Sequence, residues 1–198
     1  MHHFRDMVHR ASDSRQTGDM DHTVDAIVRE ARRALVAGES VDVGRIATHV
    51  GVDRSTVFRR VGRRDLVVAE ALWRTTETLA WPACVAAHPV GTEHRAARIL
   101  RAYVQLLIDE AWFRTFLHRD PARALRILTT SESPVQGRML TLVRDLLEDE
   151  PPGPVALSPE ALALVLVRVA ESFIYADLIT GATPDADAAY HVFVALLG

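Results

Sequence analysis

The sequence contains no lysine and a single cysteine among its 198 residues. Because all 23 basic residues are arginines, chemistry that requires a catalytic or Schiff-base lysine is excluded. Cys84 alone can form neither an intrachain disulfide nor a thiolate zinc site. These absences favour a reducing compartment, and we expect a cytoplasmic protein without a metal or cofactor.

Uninterrupted apolar runs and leader patterns are also lacking. Residues 161–179 form the most apolar stretch, but Arg168, Glu171 and Asp177 within it would be costly in lipid. The N-terminal residues lack the basic start and apolar core of a secretory signal. We therefore expect no membrane contact and interpret 161–179 as a buried helix.

Charge is distributed unevenly along the chain. Residues 1–80 carry 13 Arg and 12 acidic residues, whereas residues 81–198 carry 10 Arg and 14 acidic residues. Within the first part, residues 44–65 hold six Arg against two Asp. This concentration indicates a polyanionic partner for that segment only.

Apolar residues recur at spacings of three and four along most of the chain, and sustained period-two alternation is missing. The pattern predicts an all-α fold of about nine helices. The first helix ends at Gly38, two short helices follow at 43–50 and 54–60, and a longer one at about 64–79 stops before Pro82. Asp42 and Asp53 are the predicted caps of the two short helices.

Three later helix starts share a capping residue followed by Pro at the first helical position. These pairs are Asp120-Pro121, Ser133-Pro134 and Ser158-Pro159. Gln136 lies three residues after Ser133, which predicts a capping box. A final helix is predicted at 185–197.

The two short helices meet the steric requirements of a helix-turn-helix. Ala47 is small where the helices cross, Gly51 permits positive φ in the turn, and Val57 anchors the second helix. The remaining apolar positions of this miniature core are Ile46, Val50 and Val52. The motif is typical of proteins that insert the second helix into the DNA major groove.

Side chains that point outward from this motif are the predicted DNA contacts. Arg can bind guanine through two parallel hydrogen bonds, Phe or a Thr methyl can contact thymine, and other guanidiniums can neutralise phosphates. The predicted DNA-binding residues are Arg45, Arg54, Ser55, Thr56, Phe58, Arg59, Arg60 and Arg64. The alternative interpretation is a solvated basic face on a structural hairpin.

Residues 40–72, SVDVGRIATHVGVDRSTVFRRVGRRDLVVAEAL, resemble the DNA-binding domain of the TetR (tetracycline repressor) family. The sequence departs from the family pattern at three positions: Phe58 replaces a common Tyr, Val61 a frequent Phe, and Arg63 a capping Ser or Asn. The resemblance implies a homodimer on a near-palindromic operator, with a helical ligand-binding and dimerisation domain in the rest of the chain.

The domain organisation follows from these motifs. Residues 1–20 have no apolar periodicity and are expected to form a flexible arm. Residues 21–66 form the predicted DNA-binding domain, the helix at about 64–79 connects, and residues 80–198 form the ligand-binding and dimerisation domain. Two Pro and a Gly within residues 81–93 predict a linker there.

Residues 110–140, EAWFRTFLHRDPARALRILTTSESPVQGRML, resemble the C-terminal domain of QsdR-type regulators of the same family. This resemblance implies a lactone or a similarly amphipathic effector. An effector that wedges the core would move the helix at about 64–79 and separate the recognition helices from the DNA grooves.

The helix at about 159–179 is apolar nearly all the way round, so one face has to meet something beyond its own domain. Together with 185–197 it is predicted to form a four-helix interface between two copies. The alternative interpretation is a fully buried central helix in a monomer.

Aromatic side chains of the second half predict an apolar effector pocket with a few polar groups. The predicted effector contacts are Trp81, Tyr103, Trp112, Phe116, His118, Arg144, Phe173 and Tyr175. Each aromatic residue has an alternative interpretation as ordinary core. Arg168 and Glu171 can pair with each other or across a dimer.

The predicted function is a ligand-responsive, nucleoid-associated transcriptional regulator, and family resemblance favours a repressor. An enzyme is disfavoured because the sequence has no His-Glu-x-x-His pair, no Gly-rich phosphate loop followed by Lys and no Gly-x-Ser-x-Gly elbow. A helical protein-interaction adaptor is the other alternative.

Overall fold

The structure is a computed structural model that describes residues 22–153 and 157–198. The expected arm at 1–20 lies outside these residues. All regular elements in the described ranges are helical, which confirms the all-α prediction. They belong to two compact units, the first ending at Ala71 and the second beginning at Leu72.

The first unit contains α1 (22–36), α2 (Val43–Val50), α3 (Arg54–Arg60) and the beginning of α4 (Arg64–Thr75). The α1 helix buries Ile27, Val28, Ala31 and Leu35, whose spacing of three and four places them on one face. They form the core of the first unit together with buried side chains of the later helices, such as Ile46, Val57 and Val67.

The predicted turn between α2 and α3 is present. Gly51 has φ 76°, and a Cβ at this position would meet no atom within 4 Å, so the backbone angle alone favours Gly. The Asp42 carboxylate accepts a hydrogen bond from the Arg45 backbone N–H at 2.9 Å, which confirms its capping role. Asp53 occupies the cap position of α3, but its side chain makes no capping hydrogen bond.

The predicted helix end before Pro82 is wrong. The α4 helix continues through a π-helical turn, Thr76–Ala80, into α5, Trp81–Ala86. A π turn is wider than an α turn, and it lies directly before the proline, where it relieves the clash of the ring with the preceding turn. The predicted linker at 81–93 is wrong in its first half for the same reason.

The second unit continues with seven helices. They are α6 (Arg95–Asp109), α7 (Ala111–Arg119), α8 (Pro121–Thr129), α9 (Val135–Asp149), α10 (Pro159–Ile174), α11 (Ala176–Ile179) and α12 (Ala186–Leu197). The α6 helix packs against α12 and α10, and α10 also packs against α9 and α12. Side chains such as Ile99, Leu166 and Phe193 are fully buried there.

Extended backbone at Glu110 separates α6 from α7, and Tyr175 separates α10 from α11, so the predicted single helix at 159–179 is two. The described residues therefore contain more helical segments than the nine or so expected. None of these helices is both long and apolar enough to cross a bilayer.

Two of the three Pro-marked helix starts are confirmed. The side chains of Asp120 and Ser158 accept hydrogen bonds from the backbone N–H groups of Arg123 and Ala161. The start at Ser133 differs from these two. Ser133 accepts from the Val135 N–H at 3.3 Å and donates its own proton to the Ile127 carbonyl, and Gln136 forms no capping box.

Candidate nucleic-acid interface and effector site

The short helix α3 has one buried side and one exposed side. Val57 is fully buried and holds the helix against the first unit. Successive residues on an α-helix are rotated by about 100°, so Ser55 and Arg59 lie on the side opposite Val57. Both are exposed, and Arg54, Phe58 and Arg60 flank them.

Two arginines of α3 have partners within the same helix. The guanidinium of Arg54 lies over the Phe58 ring, 5.5 Å from the ring centroid. Arg59 donates from Nη2 to the Thr56 Oγ1 at 3.1 Å. Phe58 is 39% exposed, so its ring is partly packed and partly available to a ligand.

Arg60 at the end of α3 and Arg63 after it differ from these two. Both are exposed, and neither guanidinium makes a hydrogen bond or ion pair with any residue of the described part of the chain. Of the four arginines from Arg54 to Arg63, two thus have a side-chain partner in the described part of the chain and two do not.

Arg45 of α2 forms an ion pair with Glu39 in the loop before that helix. The hydrogen bond and positive charge of Arg45 lower the pKa of Glu39. Both side chains are half or more exposed, at 59% and 50%. Because this contact uses only Nη2, the other N–H groups of Arg45 keep donors for a phosphate oxygen.

Arg64 has a structural role at the start of α4. Its Nε donates to the backbone carbonyl of Val41 at 2.6 Å, which ties the beginning of α4 to the segment before α2. Because the contact uses Nε, the terminal Nη groups keep their donors for other partners. Sequence spacing gave no signal for this contact between residues 23 positions apart.

Ring contacts place the predicted aromatic effector residues of the second unit in more than one group. Trp81 and Tyr103 are buried, with ring centroids 5.6 Å apart in an edge-to-face arrangement. The Tyr103 hydroxyl is 3.0 Å from the Thr76 Oγ1 in the π turn. Burial raises the pKa of Tyr103 to about 12.

A second aromatic group lies on α7. Phe113 makes ring contacts with Trp112 at 5.7 Å and with Phe116 at 6.2 Å. Phe113 is buried; it belongs to the aromatic residues of the second half but not to the eight predicted effector contacts. Among the described residues, no ring contact joins this group to Trp81 or Tyr103.

Tyr175 lies in a buried polar region between α10 and α11. It is 5% exposed, and its hydroxyl makes no hydrogen bond with the residues of the described ranges. Burial and the nearby Glu171 and Tyr103 raise its pKa well above the usual range. A buried phenol beside an ionisable side chain combines apolar surroundings with polar groups, which marks this region as a candidate for ligand binding.

Glu171 and Gln136 form a polar pair beside this region. With the amide oriented to satisfy its partners, the Gln136 nitrogen donates to Glu171 Oε1 at 2.8 Å and to the Leu128 carbonyl at 3.0 Å. Glu171 also pairs with Arg168 at 2.7 Å, which agrees with one of the two predicted alternatives. Burial raises the pKa of Glu171 despite that ion pair.

The polar groups predicted to orient an effector have other partners. His118 Nε2 is 3.0 Å from Asp177 Oδ2, and the same carboxylate pairs with Arg114. Arg144 pairs with acidic residues of its own helix, at 3.1 Å to Asp145. Phe173 on α10 is half-buried.

The cavities on the described surface include the following two. One, of about 220 Å³, lies between α1 and α2 and is lined largely by charged side chains. The other, of about 190 Å³, is bordered by residues 92–97 except Glu93, by 150–153 and by the end of α12. Neither of the two includes any of the eight predicted effector residues.

The α10 helix and the adjoining α12 keep apolar side chains at the surface. Leu164 of α10 is 44% exposed, and Val165 next to it is half-buried. On α12, Val192 is half-buried and Ala195 is exposed. A helix pair with apolar residues on both its inner and outer sides has surface to bury against a partner.

Comparisons with known proteins agree with this architecture. Residues 91–198 match the family model described as "Tetracyclin repressor-like, C-terminal domain". The structure of the R. erythropolis transcriptional repressor QsdR from TetR family superposes with a TM-score of 0.79 at 21% sequence identity, covering 90% of this chain and 95% of that one. At this identity the likeness concerns the fold. No curated protein matches the sequence significantly.

Proposed function

The chain belongs to the tetracycline repressor-like (TetR) family, and on that premise we propose that it binds a near-palindromic operator as a homodimer and releases it on binding a small effector. A ligand-responsive transcriptional regulator is what the family relationship supports. Regulators of this family are generally not enzymes, which favours regulation over catalysis here.

The observation that carries the DNA-binding proposal is the two-sided helix α3. One apolar residue, Val57, fixes the helix to the first unit, while the other side chains are left for a polyanion. A helix of this diameter fits the major groove, where Arg reads guanine. The proposed DNA contacts remain Arg45, Arg54, Ser55, Thr56, Phe58, Arg59, Arg60 and Arg64.

The homodimer proposal is supported by the surface of α10 and α12. Exposed Leu164 and half-buried Val192 lie on helices that already pack against each other. Two copies related by a two-fold axis would cover this surface with four helices. The same symmetry would place two α3 helices on half-sites about one DNA turn apart.

The effector site is proposed within the second unit, around Tyr103 and Tyr175. The Tyr175 hydroxyl makes no hydrogen bond with the described residues, and the Trp81 ring packs edge-to-face on Tyr103, which lies near Tyr175. A small amphipathic molecule, for example a lactone, combines an apolar body with a hydrogen-bonding group of this kind. The remaining proposed contacts are Trp112, Phe116, His118, Arg144 and Phe173.

The proposed domain assignment is DNA binding within residues 21–66, a connecting helix from about residue 64, and ligand binding with dimerisation in 80–198. Repression is proposed because the structurally similar QsdR is described as a transcriptional repressor. A regulator of operator DNA would work in the cytoplasm at the nucleoid, which agrees with the lone Cys84.

Fluorescence anisotropy with labelled duplexes from the DNA flanking the chain's own gene tests the proposal. We expect retention over bulk competitor, with affinity that falls steeply between about 50 and 200 mM salt. Arg54→Ala should weaken operator binding by about 1–3 kcal/mol. Arg126→Ala removes the same charge from an exposed position of the second unit and should leave binding unchanged. A protein-interaction adaptor would retain no duplex.

A further inference from the structure

The four arginines between residues 54 and 63 differ in how firmly their guanidiniums are held. Arg54 is stacked on Phe58, and Arg59 is bonded to Thr56. Arg60 and Arg63 make no such contact with the described residues. All four are exposed, so burial does not explain the difference.

The two supporting side chains are themselves restrained. Phe58 is exposed, at 39%, but part of the residue is covered by protein, and its aromatic ring has only two side-chain torsions. Thr56 is half-buried and β-branched, which restricts χ1 and therefore fixes the direction of its hydroxyl. Each is thus able to restrict the arginine that lies on it.

Holding an arginine matters for one of its two uses on DNA. Bidentate binding to guanine requires the planar guanidinium at a defined place and tilt, and a side chain held in advance loses less freedom on binding. Neutralising a phosphate requires charge nearby and tolerates many rotamers. The stacked face of Arg54 leaves its N–H edge available, and Arg59 gives up one of five donors.

We infer that Phe58 and Thr56 are positioning residues that hold Arg54 and Arg59 for reading bases, while Arg60 and Arg63 supply affinity without sequence preference. This inference rests on the proposed binding of operator DNA. It gives Phe58 a role through Arg54 in place of a direct contact with thymine.

The pair of Phe58 and Arg54 is tested by selecting duplexes from a randomised library and then measuring their affinities. Arg54→Ala identifies the base pair of each half-site that Arg54 reads. Phe58→Leu should relax preference at that same base pair by about two- to fivefold, the range expected for an exposed cation–π contact. Phe58→Tyr keeps the ring and should retain the preference. When Phe58→Leu is added to Arg54→Ala, the preference at that base pair should not change further.

A different pattern would overturn the assignment to Phe58. If Phe58→Leu alters preference at another base pair, or adds fully to Arg54→Ala, the ring contacts DNA directly. Thermal unfolding of each variant separates these outcomes from loss of the fold. Phe58→Met offers a second substitution without a ring should the Leu variant unfold.

Thr56 provides an independent arm of the same experiment. Thr56→Val keeps the shape and removes the hydroxyl, and it should relax preference at the base pair read by Arg59 by about two- to tenfold, as for loss of one hydrogen bond. Thr56→Ser keeps the hydroxyl and should retain most of the preference. Equal preferences in the Val and Ser variants would contradict the role of Thr56.

The unpartnered arginines give the contrasting result. Arg60→Ala and Arg63→Ala should each weaken all duplexes equally and reduce the slope of log affinity against log salt by about one. A change in base preference from either variant would overturn the division of roles. If the unaltered chain binds no duplex, the proposed function fails; if it binds with a preference that Phe58→Leu and Thr56→Val leave intact, only this inference fails.

Discussion

The helices α3 and α10 have the same backbone conformation but differ in how many of their side chains are buried. The seven residues of α3 bury one side chain, Val57, whereas the sixteen residues of α10 bury five. Consequently α3 contributes a single buried side chain to the core and leaves its polar groups outward. In α10 the side chain of Glu171 is largely covered by protein, and its carboxylate pairs with Arg168 and accepts a hydrogen bond from Gln136. A short helix can offer its side chains to a ligand because it contributes little to the core.

The largest expected effect is a loss of stability when a core side chain of α10 is shortened. Leu166→Ala removes a fully buried side chain and should lower the free energy of unfolding by about 2–5 kcal/mol. Leu79→Ala, at a position 51% exposed, should change it by less than about 0.5 kcal/mol. Chemical denaturation measures both. Similar losses for the two variants would mean that Leu166 contributes no more packing than a surface residue.

The outer side of α10 gives the second prediction. Leu164→Glu should convert a dimer into a monomer at micromolar concentration, because the carboxylate would be buried unpaired between two copies. Leu79→Glu introduces the same charge on another exposed leucine and should leave the dimer intact. Sedimentation velocity distinguishes the species. A monomeric unaltered chain, or a dimer that tolerates Leu164→Glu, would remove α10 from the interface.

A smaller effect, of opposite sign in the two units, is expected at two glycines. Gly51→Ala forces a Cβ onto a residue with φ 76° and should destabilise the fold by about 1–2 kcal/mol. Gly137→Ala lies within helix α9, where the added methyl meets open space, and should stabilise it by about 0.5–1 kcal/mol. Thermal unfolding of both variants checks the signs. A stabilising Gly51→Ala would contradict the left-handed turn.

The smallest effect concerns pH and compares two carboxylates at the end of α10 and beyond. Burial raises the pKa of Glu171, so the folded chain binds more protons there and its contribution to stability falls as pH rises from about the ordinary value of 4.5. For Asp177 burial acts in the same direction, but Arg114 and His118 override it and lower the pKa. Its contribution is present above 3.8 and is lost as pH falls through the lowered value.

Stability measured across pH with Glu171→Gln and Asp177→Asn separates the two groups. Glu171→Gln should gain stability relative to the unaltered chain as pH rises above about 4.5, since the amide has no charge to bury. Asp177→Asn should reduce the loss of unfolding free energy as pH falls below about the ordinary pKa of 3.8. Parallel pH curves for all three proteins would show that neither carboxylate titrates differently in the folded state.

The same contrast explains what could be predicted from the sequence. Ala47, Gly51 and Val57 are within eleven residues of one another, and local spacing sufficed to identify their turn and its core. Helix starts at Asp120 and Ser158 were predictable for the same reason. The roles of Gln136 and Arg64 were not, because their partners Glu171 and Val41 are distant in sequence. The proposed effector residues belong to this second kind, and their grouping depends on packing that no local pattern encodes.

The π turn before Pro82 has a consequence for how this chain tolerates changes in length. Tyr103 touches both Thr76, through its hydroxyl, and Trp81, through its ring. In an α-helix, residues five apart point about 140° away from each other, whereas the π turn stacks them, as the hydrogen bond from the Trp81 N–H to the Thr76 carbonyl records. Deleting one residue between them would leave Thr76 and Trp81 four apart, and regular α geometry places such residues about 40° apart on one face. We therefore expect a one-residue deletion inside the π turn to keep the indole beside Tyr103, so this segment accepts a change in length that an unbroken α-helix would not.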